Sequence, residues 1–169
     1  HLSSPFLNGA TMDLGTSIPT YSTGENLVPA ETIREWCQRA EDAGLAGLWA
    51  IDHLLEPRTY QTGTLDPALA LGHAAAVTDR IELGSSVLVA PLRRTANIAR
   101  RWRGLQHLAG RNVTMGVGAG YIREEFEAAG VPRSERGPRL SEQVDVLKQL
   151  FTGDAVSYDG RDRKSTRLN

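Results

Sequence analysis

Strand-like segments begin near Asp13, Gly47, Ile81 and Val113, at steps of 34, 34 and 32 residues, and a helical pattern follows each. Strands joined at that interval by helices need crossover connections, so they pair in parallel as repeated β-α units. No residue-level repeat accompanies the period, which is therefore structural and not that of a solenoid. Four units amount to half of a (β/α)₈ barrel, which takes about 250 residues. A small doubly wound sheet would also accommodate them. The spacing alone leaves both layouts open.

The segments themselves carry clear signals. Asp13–Ile18 alternates as a strand does, and Glu31–Ala43 sets Ile33, Trp36, Cys37 and Ala40 on one helical face, with Gly44 as its stop. Gly47–Ile51 is a buried-type strand. Asp66-Pro67 is an N-cap followed by proline at the first helical position, opening an Ala-rich helix that ends near Thr78. Ile81–Val89 is the third strand. Ala96–Ala109 is a helix with Ile98, Trp102, Leu105 and Ala109 aligned, and Gly110 ends it. Asn112–Val117 is the fourth strand, Tyr121–Ala129 a short helix, and Arg139–Phe151 a long one whose inner face is expected to be Leu140, Val144, Leu147 and Phe151.

With 169 residues, 40% of them hydrophobic and 23% charged, the chain has the balance of one ordinary globular domain. Nineteen basic against 20 acidic residues leave a net charge of −1, which does not invite nucleic acid or an anionic membrane. No run approaches the ~18 apolar residues of a membrane span, and no secretory signal is visible. Cys37 is the sole cysteine, which excludes an internal disulfide and disfavours a cysteine metal site. It reads as a small core residue in a protein of a reducing cytoplasm.

The second strand ends in Asp52-His53, at the end of a parallel strand where such folds bind ligands. A histidine there suits proton transfer or cofactor contact; a loop pair capping backbone groups is the alternative. Gly116-Val-Gly-Ala-Gly120 resembles a phosphate-cradling turn but lacks the third glycine of a dinucleotide fingerprint. It suits close backbone approach to a flat ligand, or a tight turn. Gly84-Ser85-Ser86-Val87 loses bulk in mid-strand, as at a bulge or where another group comes near. Glu124, Glu125 and Glu127 read as a solvated helix face. Arg93, Arg94, Arg100, Arg101 and Arg103 read as a basic surface cluster, and His73 and His107 have no partner at metal-ligand spacing.

Taken in order, Glu41–His53, Asp79–Leu88, Pro91-Leu-Arg93, Leu108–Arg111, Met115–Tyr121, Glu125-Phe126 and Arg136-Gly137 resemble the luciferase-like monooxygenase superfamily, in particular its deazaflavin (coenzyme F420)-dependent branch. The resemblance runs from about Asp13 to Arg161 and implies the N-terminal half of a (β/α)₈ TIM barrel. It implies an oxidoreductase that passes a hydride to a small organic substrate, with an FMN-dependent monooxygenase as the alternative. It carries Asp52 over as a cofactor contact and His53 as a cofactor contact or proton donor. Ser86-Val87 matches a cis peptide beside the cofactor ring, and Gly118-Ala119-Gly120 matches the fourth-strand segment near the cofactor. Bacterial luciferases have arginine at the Ala119 position and glutamate at the Asp52 position; both differences lean toward F420. Tyr121 stands where the deazaflavin sugar-phosphate dehydrogenases have glutamate, so their substrate is not carried over.

The expected organisation is a non-native or disordered leader over 1–11, half a barrel over 12–161 and a sequencing-adapter artefact over 162–169. Asp162–Asn169 has no counterpart in the family, and the codons GATCGGAAGAGCACACGTCTGAAC, which encode it, match a common sequencing adapter. A half barrel lacks the later strands that complete a cofactor site and leaves strand edges unpaired. The fragment is therefore expected to be poorly active, and its full-length parent to be an enzyme with a homodimer as its expected assembly. A non-catalytic half barrel that binds a partner or self-associates is the reading of another class.

Overall fold

A computed structural model describes residues 12–21, 27–55 and 64–152, with the backbone of two short strands at 156–158 and 165–168. Strands β1 (Gly15–Ser17), β2 (Gly47–Ala50), β3 (Glu82–Val89) and β4 (Val113–Gly118) form one sheet in the order β1-β2-β3-β4, every pair parallel. Each strand lies beside the next one in the chain, so the order never reverses. A doubly wound sheet needs such a reversal and a barrel does not. Strand order thus decides between the two layouts in favour of the first four β-α units of a barrel.

Helices α1 (Ala30–Asp42), α2 (Pro67–Ala75), α3 (Thr95–Ala109), α4 (Arg123–Ala129) and α5 (Arg136–Thr152) follow the local signals closely. Asp66 Oδ1 accepts the Ala68 N–H at 2.9 Å, as the N-cap requires. At the end of α1, Gly44 adopts φ 75°, its N–H donating to the Glu41 carbonyl and that of Leu45 to the Ala40 carbonyl. This αL turn returns the chain into β2 and packs Leu45 on the core.

One apolar core lies between the sheet and its helices. Leu48, Ala50, Leu83 and Leu88 from the strands meet Ile33, Cys37, Leu71, Ile98, Trp102, Leu105 and Leu147. Burial pushes the Cys37 thiol up to about 11, consistent with an inert core residue. Because side chains alternate along a strand, Trp49 points to the opposite face, the barrel interior. Its indole lies across Gly15, Gly47 and Gly84 on three adjacent strands. The loss of bulk at Gly84 therefore makes room for the protein's own indole.

Two helices sit differently from their hydrophobic patterns. In α1, Ile33, Cys37 and Ala40 are buried but Trp36 is 45% exposed, its Nε1 donating to the Ser17 carbonyl at the edge strand. In α5 the buried face is Gln143, Val146, Leu147 and Leu150, and Phe151 is exposed. The helix is rolled so that Gln143 Nε2 reaches the Arg93 carbonyl at 2.8 Å. Hydrogen bonding of this partly buried carbonyl outweighs the more apolar face. Beyond α5, Val156–Tyr158 pairs antiparallel with Ser165–Leu168, so part of the segment expected to be foreign forms a ladder with the chain before it. The expected leader, 1–11, lies outside the described residues.

A long-range anchor joins α1 to the start of β3. Glu41 Oε1 accepts the backbone N–H groups of Arg80 (2.6 Å) and Ile81 (2.8 Å), and both carboxylate oxygens face that of Asp79. Burial opposes ionisation of Glu41, but the bonds from Ile81, Arg80 and Asp79 and the Arg80 charge outweigh it, so its pKa lies below the ordinary value. A depressed carboxyl stabilises the fold above its unfolded pKa, about 4.3, and that gain is lost as pH falls through the lower folded value. Replacing Glu41 by alanine is expected to cost about 1–2 kcal/mol at pH 7, from the lost charge-assisted bonds. Urea melts repeated at falling pH should show the two proteins converging as the pH drops through and below the ordinary carboxylate range.

Candidate active site at the strand ends

The carboxyl ends of β2, β3 and β4 bring together most of the residues singled out above. Asp52, one residue beyond Ile51, is buried, and its carboxylate is engaged from three directions. Arg93 holds it through Nη1 to Oδ2 at 2.6 Å and Nη2 to Oδ1 at 2.7 Å, and the Val89 N–H donates to Oδ2 at 2.8 Å. Arg93 follows the 3-10 turn Ala90–Leu92 after β3, and Gln143 of α5 holds its carbonyl. A fork-to-fork pair of this kind has two parallel charge-assisted bonds and one orientation. Asp52 therefore clamps the end of β2 to the end of β3. Arg93 does not join a solvated basic cluster as expected; burial beside a carboxylate decides its place.

His53 comes next and turns the other way. Its Nδ1 lies 3.3 Å from Glu125 Oε1, and its ring meets that of Tyr121 edge to face, centroids 6.3 Å apart. Glu125 is 1% exposed, and the same Oε1 accepts the N–H groups of Leu54 (2.7 Å) and Leu55 (3.3 Å). The expectation of a solvated face over Glu124, Glu125 and Glu127 holds for the first and last, which are exposed, and fails for Glu125. The physical reason lies in α4 packing. Phe126 is driven into a small core with Val89 and Leu92, and the turn that buries it carries Glu125 inward, where backbone donors meet it.

The Ser86–Val87 peptide is cis, as the resemblance implies, and the β3–β4 register shifts between Ser85 and Leu88. Ser86 is exposed and Val87 is 42% exposed although both lie within a strand. Gly118 and Gly120 lie close to β3: an added Cβ would stand 2.6 Å from Val87 Cγ2 and 2.5 Å from Val89 Cγ1. Glycine at these places is required by neighbours inside the chain, and Gly118-Ala119-Gly120 brings backbone, with little side chain, to the mouth of the sheet. A cavity of about 80 Å³ beside His53 is lined by Tyr21, Ile51 and Thr64. Larger clefts, of about 550 and 800 Å³, lie at the end of α3 and between α2 and α3, and no strand-end residue lines them.

The sequence singled out Asp52, His53, Ser86, Val87 and the glycine turn, but it gave no functional role to Arg93, Glu125 or Gln143. Their partners stand 41, 72 and 50 residues away. Arg93 and Glu125 did stand among the motifs quoted above, which was the one available signal.

The chain matches the family model for luciferase-like monooxygenase over residues 9–168. It is 33% identical over 144 residues to the F420-dependent glucose-6-phosphate dehydrogenase of Amycolatopsis mediterranei, covering 82% of this chain and 43% of that protein. Among solved structures it superimposes on the monooxygenase RslO1 of Streptomyces bottropensis with a TM-score of 0.79, at 22% identity, over 93% of this chain and 48% of that one. It also superimposes on the oxygenating constituent of 3,6-diketocamphane monooxygenase of Pseudomonas putida, in complex with FMN, with a TM-score of 0.78 at 15% identity, over 95% and 45% of the two chains. The chain thus spans less than half the length of these relatives.

Proposed function

The chain belongs to the luciferase-like monooxygenase family, and from that premise we propose that it forms one wall of the active site of an F420-dependent oxidoreductase acting on a small organic substrate. The observation that carries the reading is an apolar, side-chain-poor ledge at the strand ends, with Val87 exposed in mid-strand and Gly118-Ala119-Gly120 beside it, followed directly by Tyr121, whose ring meets a histidine held by a buried carboxylate. Such a ledge suits a flat ring system. Bound there, the deazaflavin would supply the hydride chemistry.

The residues present do the rest. Ser86, Val87 and the glycine turn would bear the ring. Asp52 contributes by fixing the strand ends through Arg93, which leaves it little free acceptor capacity for a ligand. His53 is the group able to hold or move a proton, and the ring of Tyr121, 68% exposed, stands beside it. Ala119 in place of the arginine of bacterial luciferases, and aspartate at position 52 in place of glutamate, favour F420 over FMN. Tyr121 in place of glutamate argues against a sugar phosphate as the substrate. Since the chain spans under half the length of its relatives, the activity is proposed for a complete barrel, and the 169-residue chain is expected to bind cofactor weakly.

Separate fluorescence titrations with F420 and FMN test this, using both the 169-residue chain and a full-length barrel carrying it. The full-length protein should prefer F420 by at least about tenfold, or 1.4 kcal/mol. Tighter binding of FMN would move the assignment to a flavin monooxygenase.

A further inference from the structure

We infer that Glu125 is a positioning residue for His53, holding the neutral imidazole with its hydrogen on Nδ1 and the Nε2 lone pair free for a ligand. The inference rests on the site proposed above but not on which cofactor occupies it. Glu125 Oε1 already receives the N–H groups of Leu54 and Leu55. An oxygen facing two donors is an acceptor there, so the third group that meets it, His53 Nδ1, must be the donor. In a neutral imidazole one nitrogen carries the hydrogen and the other does not, and the bond made by one sets the role of the other. No described residue bonds Nε2, while the Tyr121 ring edge and the bonded Nδ1 restrict rotation of the imidazole.

This arrangement has a chemical consequence. A ligand group that meets Nε2 while the ring is neutral must present a hydrogen, such as a hydroxyl. His53 then serves as acceptor before it serves as donor. Glu125 touches no ligand in this scheme; it acts through the ring. Because Leu54 and Leu55 hang from the same oxygen, Glu125 also sets where the chain goes immediately after His53. One carboxylate oxygen thus fixes both the ring and its backbone.

The test is the tautomer, read by long-range ¹H–¹⁵N correlation on the 169-residue chain labelled with ¹⁵N-histidine, at a pH where the rings are neutral. Comparison with His53→Gln assigns the His53 signals among the four histidines. The unaltered protein should show the hydrogen on Nδ1. Glu125→Gln should keep that pattern, since an amide oxygen can still accept all three bonds. Glu125→Ala should lose it in favour of the Nε2–H form that unconstrained imidazole prefers, with the signals of the remaining histidines in place. A hydrogen on Nε2 in the unaltered protein overturns the inference, and so does an unchanged Nδ1–H pattern in Glu125→Ala. If Glu125→Ala fails to fold, the unaltered protein and Glu125→Gln still decide: both must show Nδ1–H. An error in the cofactor assignment would leave all these spectra as they are, so the two ideas fail separately.

Discussion

Asp52→Ala is expected to lower the unfolding free energy by about 3–5 kcal/mol, because it strands the Arg93 guanidinium and the Val89 N–H in the interior. A domain of this size has about 5–15 kcal/mol in all, so the variant should be close to unfolding at 37 °C. Urea denaturation followed by circular dichroism gives the value. Removing both partners in Asp52→Ala/Arg93→Ala should cost less than the sum of the single changes, since no uncompensated charge is left behind. Asp52→Asn keeps an acceptor for Val89 and should fall between. A loss below about 1 kcal/mol for Asp52→Ala would mean that water reaches the pair and that the clamp is an ordinary surface ion pair.

Gly84→Ala is expected to cost about 1–3 kcal/mol despite adding only a methyl group. The new Cβ would lie 2.8 Å from Trp49 Cε3 and 2.9 Å from the Thr114 carbonyl. Neither can withdraw freely: Trp49 is walled in by Gly15 and Gly47, and Thr114 is held in the β3–β4 ladder opposite Gly84. A double-mutant cycle with Trp49→Leu should recover part of the loss, and the residue left over measures the clash with the carbonyl. Gly104→Ala is the control. That glycine lies within α3 with nothing within 4 Å of an added Cβ, so alanine should stabilise by up to about 1 kcal/mol. Opposite signs at two glycines would separate packing from helix propensity within one protein. Intrinsic Trp fluorescence reports whether the indole has moved.

The legible part of this protein is its local part. The four strand starts, the Asp66-Pro67 helix entry and the Gly44 and Gly110 exits each follow from a few neighbouring residues, and the structure places an element at each. Period alone could not tell a barrel from a doubly wound sheet, since both are built from the same β-α unit. The errors fall where local and distant demands conflict. Phe151 and Val144 make the more apolar stripe of α5, yet the helix turns Gln143 inward to a carbonyl 50 residues earlier. Glu125 looks solvated beside Glu124 and Glu127 until Phe126 is packed.

By itself, the sequence determined the β-α alternation, the parallel sense of the strands, and the arrival of Asp52-His53 and Gly118–Gly120 at strand ends. Backbone propensity, capping and side-chain period act over a few residues, so they can be read along the chain. Tertiary structure alone decided that Asp52 is bound to Arg93, that Glu125 rather than solvent faces His53, and that three glycines on three strands accommodate one tryptophan. A charge is tolerated in the interior only beside its partner, and a missing side chain is explained only by what fills its place. Both conditions join residues that are far apart in the chain, and they exist only once the strands are side by side.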